Sequence, residues 1–74
     1  MINETLPIRD KLVQLQRDRV ITIDRFTYGL SRKAAYINID FEVTKTHEQV
    51  VRIFNGSDIQ EAANKAMSFL DQVQ

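Results

Sequence analysis

Few side chains in this chain can do chemistry, and their spacing keeps them apart. His47 is the only histidine and cysteine is absent, which excludes thiol catalysis, disulfides and thiolate metal sites. A zinc site built on His47 needs carboxylates at ligand spacing, and none stands there; His47 reads as a solvated turn histidine. Asp40 and Glu42 share one side of a strand-like run, the arrangement of paired carboxylates in acid–base catalysis. Alternation, however, puts charge all along that side, and Arg52 is the expected partner of Asp40. Ser31 has no activating base. Gly29 and Gly56 are isolated, so there is no phosphate loop or dinucleotide fingerprint. The expectation is a protein with no enzymatic activity, no metal and no cofactor.

The elements that position these groups follow from hydrophobic period. Pro7 suits the first turn of a helix, capped by Thr5 or Asn3, with Ile8, Leu12 and Leu15 on one face and an end near Arg17 or Asp18. Met1 to Glu4 should fray. Arg19 to Tyr28 is rich in β-branched and aromatic residues and predicts a strand; Gly29 to Arg32 reads as a turn. From Lys33 to Thr44, Ala35, Ile37, Ile39, Phe41 and Val43 alternate with Tyr36, Asn38, Asp40 and Glu42, which predicts an antiparallel strand buried on one side. Lys45-Thr46-His47 is a turn, and Glu48 to Phe54 the third strand. Ser57 with Gln60 has capping-box spacing. Beyond it, Ile59, Ala62, Ala63, Ala66, Phe69, Leu70 and Val73 form one helical stripe. The fold class is α+β: a single domain over 1–74, a two-layer sandwich of a three-stranded antiparallel meander with two helices on one face, in the order α-β-β-β-α.

Core residues must pair with core residues, which limits register. Ile23 opposite Ile39, and Val51 opposite Phe41, bury Ile21, Ile23, Val51 and Ile53 with the inward side of the middle strand. Parity then places Phe26, Tyr36, Phe54, Arg52, Val20 and Val50 on the outer face. These six residues are the candidate interaction face, with Phe26, Tyr36 and Phe54 gathered at one end. Arg17, Arg19, Arg25, Arg32 and Lys33 form a candidate basic strip near the first hairpin, Arg25 carrying inward parity with its head emerging at the sheet edge.

Seventy-four residues make a thin core, and a second copy adds burial, so a homodimer is expected. Its geometry, sheet face or strand edge, stays open. Lys and Arg balance Asp and Glu at ten each, unlike proteins that grip nucleic acid by phosphates alone. The balance hides an asymmetry, because residues 1–33 carry a net +3 and residues 34–74 a net −3. No stretch is apolar and long enough to cross a bilayer as a helix, and no signal-peptide pattern is present, so the expected setting is the cytoplasm. The element order is shared with the double-stranded RNA-binding domain. That family's lysine cluster at the start of the last helix is replaced here by Ser57-Asp58-Ile59-Gln60-Glu61-Ala62, so the order carries no activity over. The expected function is a small protein-interaction or regulatory module acting through its open sheet face, the size of a bacterial or phage accessory protein. The alternative is a nucleic-acid-binding protein that stacks bases on the sheet aromatics and uses the basic residues of the first hairpin.

Overall fold

A computed structural model describes residues 3–73 of the chain. It shows the predicted order: α1 (Leu6–Arg17), β1 (Ile21–Leu30), β2 (Ala35–Val43), β3 (Gln49–Gly56) and α2 (Ile59–Leu70), with a 3-10 turn over Asn3–Thr5 leading into α1. Of the fraying expected over Met1 to Glu4, Met1 and Ile2 lie outside the described residues, whereas Asn3 and Glu4 belong to the 3-10 turn. The sheet is an antiparallel meander ordered β1-β2-β3. Both helices pack on one side of it around a shared core of Ile8, Leu12, Leu15, Ile21, Ile37, Ile39, Phe41, Val50, Ala62, Ala63, Ala66 and Leu70.

α1 starts with Thr5 at its N-cap and Pro7 in the first turn, and buries Ile8, Leu12 and Leu15 as their spacing predicts. It ends in a Schellman motif. Arg19 N–H donates to the Gln16 carbonyl at 3.0 Å and Val20 N–H to the Leu15 carbonyl at 2.9 Å. The motif needs a left-handed residue at the position after the C-cap. Arg19 takes it at φ 61°, where glycine would be unstrained.

The register differs from the expected one in both hairpins. Ile23 pairs with Phe41 rather than Ile39, and a bulge between Ile23 and Arg25 leaves Asp24 unmatched. An extra residue reverses parity for the rest of a strand. Phe26, opposite Ile39, and Tyr28, opposite Ile37, therefore point to the helix side. Arg25, opposite Asp40, turns outward instead of inward. In the second hairpin Val50 pairs with Phe41, and Val51 pairs with Asp40. This slip of one residue buries Val50 to 7% exposure and leaves Val51 and Ile53 at 56% and 58%.

The turns shift with the register. Gly29 and Leu30 belong to β1, and the first turn is closed by Ser31 N–H to the Ala34 carbonyl at 2.8 Å. In the second, His47 N–H donates to the Val43 carbonyl at 2.8 Å, with His47 at φ 63°.

The cap of α2 also sits one residue later than Ser57 and Gln60 suggest. Asp58 is the N-cap, its carboxylate accepting from Glu61 N–H at 2.9 Å. Glu61 reaches back to accept from Ser57 N–H at 2.6 Å and Ser57 Oγ at 3.2 Å. The Ser57 amide and hydroxyl, with Lys65 nearby, hold the Glu61 carboxyl below its ordinary pKa. Gly56 is needed for close approach rather than for turning: a Cβ there would lie 2.8 Å from the Ala62 backbone nitrogen.

Candidate interaction surface on the open sheet face

The helices cover one side of the sheet and leave the other to solvent. The pairing places Thr22, Arg25, Thr27 and Gly29 of β1, Tyr36, Asn38, Asp40 and Glu42 of β2, and Gln49, Val51, Ile53 and Asn55 of β3 on the open side. The three strands contribute different chemistry. β3 supplies the apolar surface, Val51 and Ile53. β1 supplies a cation and hydroxyls. β2, in the middle, supplies the amide and carboxylates between them.

Tyr36, 44% exposed, ends the apolar strip. Its ring lies over Gly29, directly opposite, where a side chain would run into it. A cross-strand aromatic over a strand glycine covers backbone that glycine leaves bare. Beside it opens a shallow hollow of about 140 Å³ lined by Leu30, Ser31, Ala34, Tyr36 and Asn55 among others.

The centre of the face holds acceptors that have lost solvent. Asn38 Oδ1 and Asp40 Oδ1 are covered and have no hydrogen-bond partner among the described residues. The nearest cation to Asp40 is Arg25, whose Nε lies 4.0 Å from Oδ2. That is at the limit of an ion pair and leaves Oδ1 unserved. Covered polar atoms are ordinarily satisfied, and the exceptions call for an explanation. Next along the strand, Glu42 accepts from Gln49 Nε2 and lies against His47 Nδ1, both at 3.1 Å. Among the described residues no cluster of three His, Asp or Glu is placed to hold a metal ion.

Of the six residues expected on this face, only Tyr36 lies on it. Phe26, Phe54, Val50 and Arg52 have the opposite parity and sit on the helix side, and Val20 precedes β1, packed against the core. The expected aromatic cluster is thus divided. Phe54 packs on Phe69 at 5.6 Å between ring centroids, and Phe26 lies 6.3 Å from Tyr28. Arg52 does not meet Asp40. Its guanidinium lies 5.4 Å over the Phe69 ring and its Nη1 donates to the Val51 carbonyl at 2.9 Å. An arginine of inward parity survives on an edge strand because its stem runs over the core margin while its head reaches water. The basic strip is divided too. Arg17 and Arg19 lie at the start of β1, Arg32 and Lys33 beyond its end, roughly 30 Å apart at the strand's rise per residue. Arg25 alone reaches the open face.

Val51 and Ile53 are the surface residues the sequence reading missed, whereas Asn38 lies on the open side as the alternation of β2 predicts. No single-residue signal marks Val51 and Ile53, because Val50-Val51-Arg52-Ile53-Phe54 is apolar at both parities. Searches against protein-family models, curated proteins and solved structures find no match.

Proposed function

We propose that this chain is a non-enzymatic protein-interaction module, and that the open face of its sheet is the contact surface. The observation that carries the reading is the pairing of two features on one face. An exposed strip of Tyr36, Ile53 and Val51 runs beside the covered, unpartnered acceptors of Asn38 and Asp40. Contiguous exposed apolar surface marks contact sites on small proteins, and a partner's N–H or O–H donors complete the two acceptors on docking.

The division of Phe26, Phe54 and Arg52 from Tyr36 takes away the stacking platform on which a nucleic-acid reading would rest. The two readings separate experimentally. Tagged chain incubated with cell extract should retain protein after nuclease treatment, and Ile53→Asp should lose it while remaining folded. Fluorescence anisotropy with oligonucleotides at two salt concentrations should show no tight, salt-sensitive binding. Nuclease-sensitive retention, or retention indifferent to Ile53→Asp, overturns the proposal.

A further inference from the structure

We infer that two copies of this chain join through the free edge of β1, antiparallel about a two-fold axis at Tyr28, to form one continuous six-stranded sheet. The inference goes beyond the contact face and stands on the edges of the sheet.

Hydrogen-bonding direction alternates along an antiparallel strand. Val43 N–H donates to the Glu48 carbonyl, and Thr44 N–H to the Val20 carbonyl. Odd-numbered β2 residues therefore bond to β3 and even-numbered ones to β1. By the pairing, Gln49, Val51, Ile53 and Asn55 turn their backbone groups to the outer edge of β3. Phe26, Tyr28 and Leu30 do so on β1.

The two edges are treated differently. On β3, Arg52 Nη1 occupies the Val51 carbonyl at 2.9 Å and Lys65 Nζ occupies the Asn55 carbonyl at 2.8 Å. Cations folded over edge carbonyls are a means of preventing strand addition. On β1, Gln16 Oε1 accepts from the outward Ile23 N–H at 2.9 Å, and the bulge at Asp24 interrupts the ladder. Beyond the bulge, from Phe26 to Leu30, no side chain of the described residues bonds the outward groups, and the side chains of Tyr28 and Leu30 are 38% and 59% exposed. A β1 edge left open for one stretch, beside a β3 edge closed at two points, is a place for one more strand.

The sequence of that stretch selects a second copy. A two-fold at Tyr28 sets Phe26 opposite Leu30 of the partner copy and exchanges about six backbone hydrogen bonds over three pairs. The same register brings Arg32 of the partner copy, in the turn just past its β1, towards Asp24 at the bulge, twice by symmetry. Neither residue has an ion pair among the described residues of its own chain. Shifting the axis to Thr27 brings Asp24 towards Leu30, and shifting it to Gly29 brings Arg25 towards Lys33 of the turn. Only the axis at Tyr28 joins opposite charges and keeps Phe26, Tyr28 and Leu30 together. The joined sheet carries both open faces on one side, doubling the contact surface.

Light scattering over a micromolar concentration range, with circular dichroism as the check on folding, tests this. Wild type should reach the mass of a dimer. Tyr28→Lys, which sets two ammonium groups against each other on the axis, should be a folded monomer. Asp24→Arg and Arg32→Asp should each weaken the dimer roughly tenfold, and the two changes together should restore it. Ile53→Asp should leave it intact. Amide exchange followed by NMR should show the Tyr28 and Leu30 N–H groups gaining protection with concentration while those of Val51 and Ile53 do not. This readout stands should Tyr28→Lys fail to fold. A monomeric wild type, a dimer that survives Tyr28→Lys, a dimer lost in Ile53→Asp, or a double variant no stronger than the singles overturns the edge dimer. None of these outcomes depends on capture of a foreign protein, which tests the open face separately.

Discussion

Val50 and Val51 are neighbours with identical side chains on opposite faces of an edge strand, and truncating each in turn reads the register directly. Val50 sits opposite Phe41 within the core and is 7% exposed; Val51 sits opposite Asp40 and is 56% exposed. Val→Ala removes two methyl groups, worth about 1.6 kcal/mol of transfer free energy at roughly 0.8 kcal/mol per buried carbon. The hollow left beside Phe41 adds to this, so Val50→Ala should cost about 2 kcal/mol. Val51→Ala loses little burial and should stay within about 0.5 kcal/mol. Both changes lower strand propensity alike, so that contribution largely cancels in the comparison. A chain of this length has a stability of about 4–11 kcal/mol. Val50→Ala therefore leaves a folded protein whose melting temperature falls by roughly 8–16 °C. Urea unfolding followed by circular dichroism at low protein concentration measures both variants. A Val51→Ala cost equal to or larger than that of Val50→Ala refutes the register, and with it the assignment of Val51 and Ile53 to the open face.

The remaining predictions concern the helix ends. Asp58→Ala should lose about 1 kcal/mol with the N-cap bond to Glu61, whereas Ser57→Ala, which keeps its backbone bond to Glu61, should lose only about a few tenths; urea midpoints of the two variants check the order. The Glu61 carboxyl has a lowered pKa in the folded state. Its contribution is thus present above its unfolded pKa and is lost as pH falls through the folded one. Glu61→Gln should flatten this part of the acid limb of a stability–pH curve. Arg19→Gly should stabilise the chain by about 0.5–1 kcal/mol by relieving the left-handed strain at φ 61°, seen as a raised melting temperature.

How far the sequence carries differs from element to element. β2 was legible because it is the central strand, where one face is buried end to end and alternation admits one parity. The helices were legible from Ile8, Leu12 and Leu15, and from Ala62, Ala63, Ala66 and Leu70. The outer strands were not. In β1 a single unmatched residue at Asp24 reverses every later side chain, and no residue type announces it. In β3 the apolar run fits either parity, and Arg52, placed outward on the ordinary rule that charge faces water, decides wrongly. On an edge strand its head escapes over Phe69 to the Val51 carbonyl. The open side of the sheet was therefore legible and most of its residues were not: Tyr36 lies on it, and Val51 and Ile53 stand there in place of Phe26 and Phe54. The α2 cap was mistaken by one residue because Ser57-Asp58 offers two good caps in a row, with Gln60 and Glu61 three positions beyond them.

The central claim is that the side of the sheet away from the helices is the working surface. A photo-crosslinking residue placed at Ile53, on that face, and separately at Ser68, on the exposed side of α2, tests it directly in extract. The account predicts a nuclease-resistant protein adduct from position 53 and none from position 68. Adducts from position 68 alone, or nucleic-acid adducts from position 53, would contradict it.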